Sequence, residues 1–405
     1  MSWEEKKISE VYLGMYDGPH ATPPVAEGGG IYLGISNITS DGHIDLSDIK
    51  YISENDLPRW TRRVAPQAGD IVFSYEATLN LYAIIPEGFH GCLGRRMALI
   101  RPDETKACGK FLYYYFFSPE WRKTVAENTI VGATVDRIPI AKFPDFHIRI
   151  PDLTKQKKIA DILSAYDDLI ENNQKQIKLL EEAAKRLYKE WFVDLRFPGH
   201  EDVMIVNGVP EGWEKKRADS FFDITIGKTP PRSEQHLFTS GKKGIPWVSI
   251  SDMGKSGIFI YNTNEKLTGE AINLCNVKVV PAGTILVSFK LTVGRVSIVS
   301  SDMATNEAIA HFCIKDDFCR AYTYCYLKNF EYDVLGNTSS ISKAVNSKII
   351  KAMPFVMPEK KIVEKFSMIV KPLFDGIKNK QRSISLLQEA RDRLLPKLIS
   401  GEIQV

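Results

Sequence analysis

The chain repeats itself after about 210 residues, and this duplication restricts the possible folds more than any other feature. Gly69–Tyr75 recurs as Gly283–Phe289, and from Pro151 and Pro358 onward the shift between the copies is constant and needs no gap. Two copies are too few for a solenoid, which stacks three or more small repeats. The sequence therefore predicts two similar units related by a pseudo-twofold axis.

Each copy begins with a part that we interpret as mixed and mainly β. Short runs rich in β-forming residues are separated by Gly, Pro, Asn and Asp, which favour turns. A helical or mixed stretch rich in aromatic residues follows, around 110–127 in the first copy and 319–332 in the second. These aromatic residues are interpreted as core packing; a platform for stacking nucleic-acid bases is the alternative.

Each copy ends in a segment with the pattern of a long helix. Residues 154–193 contain neither proline nor glycine, and Thr154 is the expected N-cap. Apolar residues at steps of three and four form a seam typical of a coiled coil. The second copy, roughly 359–400, contains Pro372 and Gly376, so we expect a kink or a break there.

A helix of this length is not stable alone in water, so the two helices are predicted to pack on each other in antiparallel orientation. We expect Ile177, Leu180 and Leu187 to face Ile384, Leu387 and Leu394. Asn173 and Lys380 either fix the register within the seam or lie at its edge. The residues predicted to pack between the helices are Ile162, Tyr166, Ile177, Leu180, Leu187, Ile384, Leu387 and Leu394.

Bulk composition excludes some classes of protein. No run approaches the ~18 apolar residues of a membrane span, and the first ten residues lack the apolar core of a secretory signal. The six cysteines form no CxxC pair, which indicates free thiols in a reducing compartment. We therefore expect a cytoplasmic protein without a membrane partner. The net charge of +3 is too small to predict nucleic-acid binding, so any such site must come from local clusters.

Motifs for catalysis are missing from the sequence. The two Thr-Pro-Pro sites lack the amide or carboxylate and the aromatic residue of an adenine methyltransferase motif, and they are interpreted as rigid turns. Gly241–Gly244 has the wrong spacing for a phosphate loop, and the acids of Pro102–Lys106 are adjacent and occur in one copy only. The seven histidines show no metal-ligand spacing. The sequence predicts no catalytic and no metal site, with a diverged methyltransferase or nuclease as the alternative.

Local basic clusters lie in the Gly- and Pro-rich loops of both copies. Lysine and arginine neutralise phosphates, and arginine also reaches guanine with two hydrogen bonds. Any one cluster is an ordinary solvated surface by default, but the loops of the two copies differ most where these clusters lie. The residues predicted to bind DNA are Arg59, Arg62, Arg63, Ser74, Tyr75, Arg95, Lys228, Arg232, Lys242, Lys243, Ser288, Lys290 and Arg295.

The whole chain resembles the specificity subunits of type I restriction–modification systems. The resemblance depends on several short pieces in a fixed order: Gly18 with Thr22–Pro24, Gly69–Thr78, Gln156–Leu163, Leu187–Phe192 and Leu394–Ile403. It implies an α+β fold in which two mixed α/β target-recognition domains are joined by two long helices packed as an antiparallel coiled coil. The implied boundaries are 1–150 and 196–357 for the domains, and 151–195 and 358–405 for the helical spacers.

The same resemblance implies a role and a set of partners. Each domain would read one half of a split sequence in double-stranded DNA, and the helices would dock two methyltransferase subunits and, in a full complex, restriction subunits. This chain would hold no cofactor, because S-adenosylmethionine, ATP and Mg²⁺ would belong to the partners. A catalytically active chain, a coiled-coil scaffold that binds no DNA and a free-standing repressor are the rival interpretations.

Overall fold

The computed structural model describes residues 3–132, 135–206, 208–241, 243–335 and 345–405. The chain divides into two compact units. Unit 1 comprises Met1–Ile170 and Leu386–Val405, and unit 2 comprises Glu171–Ser385. The predicted DNA-binding residue Lys242 lies outside the described residues. In the part of the chain that the structure describes, no helix has the length and apolar character required to cross a membrane.

The strands and helices are numbered in chain order. The strands of unit 1 are β1 (Glu4–Lys7), β2 (Tyr12–Asp17), β3 (Gly30–Leu33), β4 (Tyr51–Ile52), β5 (Ile71–Ser74), β6 (Tyr82–Ile84), β7 (Gly91–Leu93), β8 (Met97–Pro102) and β9 (His147–Ile150). Its short helices are α1 (Leu57–Trp60), α2 (Gly109–Tyr115) and α3 (Pro119–Asn128). The long helix α4 (Leu153–Tyr188) begins in unit 1 and ends in unit 2.

The elements of unit 2 continue this numbering. Its strands are β10 (Ile205–Val206), β11 (Val209–Pro210), β12 (Glu214–Arg217), β13 (Asp223–Ile226), β14 (Phe238–Thr239), β15 (Ile245–Val248), β16 (Phe259–Ile260), β17 (Glu265–Leu267), β18 (Val279–Val280), β19 (Ile285–Ser288), β20 (Val296–Val299), β21 (Met303–Thr305), β22 (Ile309–Cys313) and β23 (Pro354–Met357). Its helices are α5 (Ile250–Lys255), α6 (Gly269–Leu274), α7 (Arg320–Asn329) and α8 (Ser347–Lys351). The second long helix, α9 (Lys360–Ser400), begins in unit 2 and ends in unit 1.

The two units have the same sheet topology. In unit 1, one sheet has the order β2-β8-β5-β6 and another the order β4-β3-β7. In unit 2, the orders β13-β22-β19-β20 and β17-β15-β21 occur inside two larger sheets, which add β16, β14 and β18 at their edges. The pairs β3–β7 and β15–β21 are both parallel, whereas β1–β9 and β12–β23 are both antiparallel. The duplication predicted from the sequence is therefore also a duplication of topology.

One turn shows why the two copies share sequence at this level. Gly69 and Gly283 precede β5 and β19 and have φ values of 88° and 87°. This left-handed conformation is easily adopted only by glycine. The strands that follow are buried on both faces, which explains the unbroken apolar runs of Ile71–Phe73 and Ile285–Val287. The repeated motif is thus a turn followed by the central strand of a buried sheet.

The aromatic residues around 110–127 and 319–332 form cores, as interpreted from the sequence. In unit 1, Trp121 is fully buried, and its indole N–H donates to the hydroxyl of Tyr82 at 2.8 Å. In unit 2, Tyr322 is also buried, and its ring lies 4.6 Å from that of Phe192. Buried aromatic pairs contribute about 0.5–1.5 kcal/mol beyond the area that they bury.

The first long helix is capped two residues earlier than expected. The carboxylate of Asp152 accepts the N–H of Lys155 at 3.1 Å, so Asp152 caps the first turn, and the expectation for Thr154 is wrong. After Tyr188 the chain forms one π-helical turn over Lys189–Val193. That turn accounts for the last residues of the segment predicted as helical.

The second long helix is continuous, and the expected break at Pro372 and Gly376 is wrong. Proline removes one N–H from the hydrogen-bonding pattern, but Pro372 and Met368 lie on the exposed side of the helix, so the freed carbonyl lies on the solvent side. On the other side Val370, Phe374 and Ile377 are buried in the core of unit 2. Packing of this apolar face outweighs the local cost of proline and glycine.

Contacts within each unit show that the two long helices pack antiparallel. In unit 1, Asp167 of α4 contacts Arg391 of α9. In unit 2, Leu180 approaches Gly376, and the ring of Tyr188 lies 6.5 Å from that of Phe366. Residue numbers therefore rise along α4 while those of the partners on α9 fall.

This direction corrects the pairing expected from the sequence. Leu187, with Ile177 and Leu180, packs against the core of unit 2, whereas Leu394 and Ile162 pack against the core of unit 1. Tyr166, Ile384 and Leu387 are half-buried. Residues equivalent in the repeat advance in the same direction along both helices. Away from the middle of the pair, antiparallel packing therefore brings together residues that are not equivalent, such as Asp167 and Arg391.

Candidate nucleic-acid interface

In unit 2, three loops meet beside the ends of the central strands. The N–H of Lys228 donates to the carbonyl of Thr305 at 2.9 Å, and the N–H of Phe289 donates to that of Ala308 at 2.9 Å. Gly227 permits this approach, because a Cβ at that position would lie 2.2 Å from the carbonyl oxygen of Asn306. Backbone contacts therefore gather the loops that carry Lys228, Arg232 and Lys290 beside the ends of these strands. We call this loop-bearing end of the sheet its edge.

Arg232 is the most strongly oriented cation of this edge. Its two terminal nitrogens donate to the two carboxylate oxygens of Glu265 at 2.7 and 3.0 Å. Its guanidinium carbon also lies 4.5 Å from the ring centre of Phe238 and 4.8 Å from that of Trp247. The carboxylate raises the pKa of Arg232, and the side chain stays half-exposed. A planar donor group is thus held in one orientation at the surface.

Glu307 lies beside the same cations. The hydroxyl of Thr229 donates to its carboxylate, and this hydrogen bond lowers the pKa of Glu307, with smaller contributions from Lys290 and Arg232. Lys290 is exposed, and its ammonium group lies 5.7 Å from the ring centre of Phe289. The edge therefore combines exposed or half-exposed cations with hydrogen-bonding groups that are held by their neighbours.

In unit 1, the corresponding edge carries a network of ion pairs. Asp17, at the end of β2, pairs with Arg63 at 2.5 Å and with His20 at 3.0 Å. Arg96 pairs with Glu76 at 3.1 Å. Gly18 permits the close approach here, because a Cβ at that position would lie 2.4 Å from the carbonyl oxygen of Gly94. This glycine occupies the place that Gly227 has in unit 2.

The structure places the remaining residues of unit 1 as follows. Arg59 and Arg62 are exposed in and after α1, and Arg95 is exposed, with its backbone N–H donating to the hydroxyl of Tyr32 at 2.9 Å. Tyr75 is buried, and burial raises the pKa of its hydroxyl, which has no hydrogen-bond partner among the described residues.

Besides the buried Tyr75, three more of the predicted DNA-binding side chains point inward. Ser74 and Ser288 are buried, and their hydroxyls donate to the carbonyls of Thr78 and Thr292. The guanidinium of Arg295 donates to the carbonyl of Ile250 at 2.6 Å. These groups hold the loops in shape, so we leave Ser74, Ser288 and Arg295 out of the set proposed to contact DNA. Lys243 is exposed on a separate loop.

A histidine that sequence reasoning did not single out supports the edge of unit 2 from inside. His311 is fully buried between the hydroxyls of Thr225 and Thr305, at 2.9 and 2.7 Å. Burial lowers its pKa to about 4, so the ring is neutral near pH 7. Thr305 is also the residue whose carbonyl accepts the N–H of Lys228. Across the described segments, no cluster of three or more His, Cys, Asp or Glu side chains is arranged to hold a metal ion.

The chain contains two mixed α/β domains with the same topology. Each domain continues into a long helix and carries polar loops at one sheet edge, which is the architecture of a duplicated recognition protein. The chain belongs to the family of the type I restriction modification DNA specificity domain, whose model matches residues 3–182 and 210–388. The two matches fall on the two copies of the repeat. They confirm the family resemblance and the fold class predicted from the sequence.

Individual proteins are similar to this chain over most of its length. The type I restriction enzyme MjaIX specificity subunit of Methanocaldococcus jannaschii is 28% identical over 400 residues, covering 89% of this chain and 85% of the relative. The HindI specificity subunit of Haemophilus influenzae is 27% identical over 438 residues, covering 89% and 91%. The crystal structure of the type I restriction-modification S subunit from M. genitalium has a TM-score of 0.58 at 15% identity, covering 98% of this chain and 96% of that one, and it shows the same fold.

Proposed function

We propose that this chain is the DNA specificity subunit of a type I restriction–modification complex and that each unit reads one half of a split DNA sequence. The observation that carries the proposal is the repeated sheet topology, which presents different polar residues at the same edge of the two units. A shared scaffold with different reading residues suits two half-sites of different sequence. The match of the family model to both copies supports the same role.

The cations of the two edges divide by geometry into two kinds of DNA contact. Arg232 is fixed in one orientation, which suits bidentate recognition of a guanine edge in the major groove. Lys228 and Lys290 are exposed, so they suit phosphates and would contribute a salt-dependent, sequence-independent attraction. In unit 1, Arg59, Arg62 and Arg63 are the corresponding candidates.

The long helices offer a surface for partner subunits. Leu179 and Met368 in unit 2 and Leu386 in unit 1 are large apolar side chains that remain well exposed on α4 and α9. Exposed apolar residues on otherwise charged helices support docking of two methyltransferase subunits there, with restriction subunits in a larger complex. In this account the chain is not itself an enzyme, and S-adenosylmethionine, ATP and Mg²⁺ would be held by those partners.

The experiment that tests this function is sequencing of native DNA for N6-methyladenine in cells that express the chain together with methyltransferase subunits of its system. We expect methylation at one bipartite sequence, and none when the gene for this chain is deleted. The matched control is the chain alone, which should methylate nothing and should not bind S-adenosylmethionine in calorimetry. Methylation by the chain alone would show that it is a diverged methyltransferase.

A further inference from the structure

The loop between β19 and β20 is closed by its own hydrogen bonds and presents one residue outward. The hydroxyl of Ser288 donates to the carbonyl of Thr292 at 2.6 Å and accepts the N–H of Arg295 at 3.0 Å. The N–H of Gly294 donates to the carbonyl of Ser288 at 2.9 Å. Leu291 lies in the middle of this loop with its side chain 95% exposed.

The conformation of Leu291 is unfavourable for the folded chain in two respects. Its φ of 61° lies in the left-handed region, which costs a side chain with a Cβ about 1–2 kcal/mol per residue. Its apolar surface also stays in water, where it contributes almost nothing to folding. Glycine or asparagine would suit this position better. Packing within the described chain therefore does not explain a leucine here.

Unit 1 contains the same loop with a different residue at this point. There the hydroxyl of Ser74 donates to the carbonyl of Thr78, and the left-handed residue is Ala77, with a φ of 71°. Ala77 is exposed but has only a methyl group. The backbone shape of the loop is thus common to both units, whereas the large apolar side chain belongs to unit 2 alone.

The surroundings of Leu291 favour DNA as its contact. Lys290 precedes Leu291, and backbone hydrogen bonds from Phe289 to Ala308 and from Lys228 to Thr305 join the loops of both lysines to the loop that carries Glu307. A leucine presented among phosphate-binding cations matches the wedges with which DNA-binding proteins separate stacked bases. Methylation of a base in a duplex also requires that the base leave the stack, which a wedge makes easier.

We propose that Leu291 inserts into the base stack of the half-site read by unit 2, and that unit 1 makes no equivalent insertion. The inference depends on the proposed function, since it assumes that the edge of unit 2 faces DNA. In this proposal one side chain opens the base stack of one half-site, so the two half-sites differ in how their bases unstack.

The test uses the complex of the full chain with its methyltransferase subunits and duplexes of the sequence found by methylation sequencing. 2-Aminopurine replaces one adenine at a time in each half-site, and its fluorescence rises when the base unstacks. The variants are Leu291→Asn and Leu291→Gly, which suit a positive φ, and the control is Leu274→Ala, an exposed leucine on α6. Thermal unfolding verifies that each variant folds, and we expect both Leu291 variants to melt no lower than the wild type.

We expect both Leu291 variants to lose the fluorescence rise in the unit 2 half-site and to bind the duplex about tenfold more weakly, while the unit 1 half-site and Leu274→Ala are unchanged. An unchanged rise in the variants would overturn the wedge. Failure of the variant chains to assemble with the methyltransferase subunits would also overturn it, because Leu291 would then be a docking residue. If the wild-type complex binds no sequence specifically, the proposed function fails, and that outcome is visible before any variant is compared.

Discussion

Arg391 of α9 donates to Asp167 of α4 at 2.5 Å in unit 1, whereas the equivalent positions of the repeat in unit 2 are Ala184 and Phe374. Both charged side chains are mostly buried, with 12% of Arg391 and 21% of Asp167 exposed, and the hydroxyl of Tyr114 also donates to Asp167. Ala184 and Phe374 are buried in the apolar core of unit 2. The two halves of the helix pair therefore share the antiparallel direction but differ in their contacts: one contains an ion pair where the other contains apolar residues.

The buried ion pair predicts strong coupling between its two members. Asp167→Ala leaves Arg391 without its partner in a poorly solvated position, so we expect the free energy of unfolding to fall by about 3–5 kcal/mol. The double variant Asp167→Phe with Arg391→Ala copies unit 2 and should recover most of that loss. Urea denaturation of Asp167→Phe, Arg391→Ala and the double variant measures the coupling. Glu171→Ala, which removes an exposed pair with Lys175, should cost less than about 1 kcal/mol.

We expect the substitution of Pro372 by alanine to stabilise the folded chain. Pro372 lies inside the continuous helix α9 with its side chain exposed, so Pro372→Ala restores an N–H without disturbing the core. Proline in a helix interior costs up to about 3 kcal/mol relative to alanine, and we expect Pro372→Ala to raise the free energy of unfolding by about 1–3 kcal/mol. Thermal and urea unfolding would measure this gain. A loss of stability would mean that the helix requires the shape that proline imposes.

His311 predicts a defined dependence of stability on pH. Because burial lowers its pKa from 6.5 to about 4, the unfolded chain binds a proton in this interval more readily than the folded chain. Stability contributed by the neutral ring is thus present above pH 6.5 and is lost as the pH falls toward 4, by up to about 1.4 kcal/mol per pH unit. Urea unfolding at several pH values should show a smaller slope for His311→Asn than for the wild type. Equal slopes would contradict a neutral buried His311.

Arg232 and Lys290 predict two different losses in DNA binding. Arg232→Ala should weaken binding by about 1–3 kcal/mol and relax one position of one half-site, because a base contact is lost. Lys290→Ala should weaken binding to all sequences and lower the salt slope by about one, because a phosphate contact is lost. Competition binding with the assembled methyltransferase at several salt concentrations separates the two effects. Lys123→Ala, an exposed lysine on α3, is the control; if all three variants behave like the wild type, the edge of unit 2 does not face DNA.

The repeat was readable from the sequence because the residues that form turns and buried strands cannot vary freely. Gly69 and Gly283 are required by a left-handed turn, and the apolar runs after them are required by a sheet buried on both faces. The seams indicated that the two helices pack on each other, but they did not fix the register of the pair. Aligned repeats match equivalent residues, whereas antiparallel helices bring Leu180 to Gly376 and Asp167 to Arg391.

The candidate site was only partly readable for a related reason. A basic residue in a polar loop has the same local pattern whether it faces solvent, as Lys290 does, or turns inward to a carbonyl, as Arg295 does. The same holds for Ser74 and Ser288, whose hydroxyls bond to their own loops. His311 gave no signal in the sequence. One of its two partners, Thr225, is 86 residues away, and the other, Thr305, lies across a turn. Contacts of this kind depend on how loops from different strands meet.

The measurement that tests the central claim most directly is the methylated sequence of a chimera. Residues 1–150 are exchanged for the same region of another member of the family, and native DNA of cells with the chimera and with the parent is sequenced for N6-methyladenine. Because each unit has its own core and its own edge, we expect one half of the bipartite sequence to change and the other half to stay that of the parent. A chimera that assembles with the methyltransferase subunits but changes both halves, or neither, would contradict recognition of one half-site by each unit.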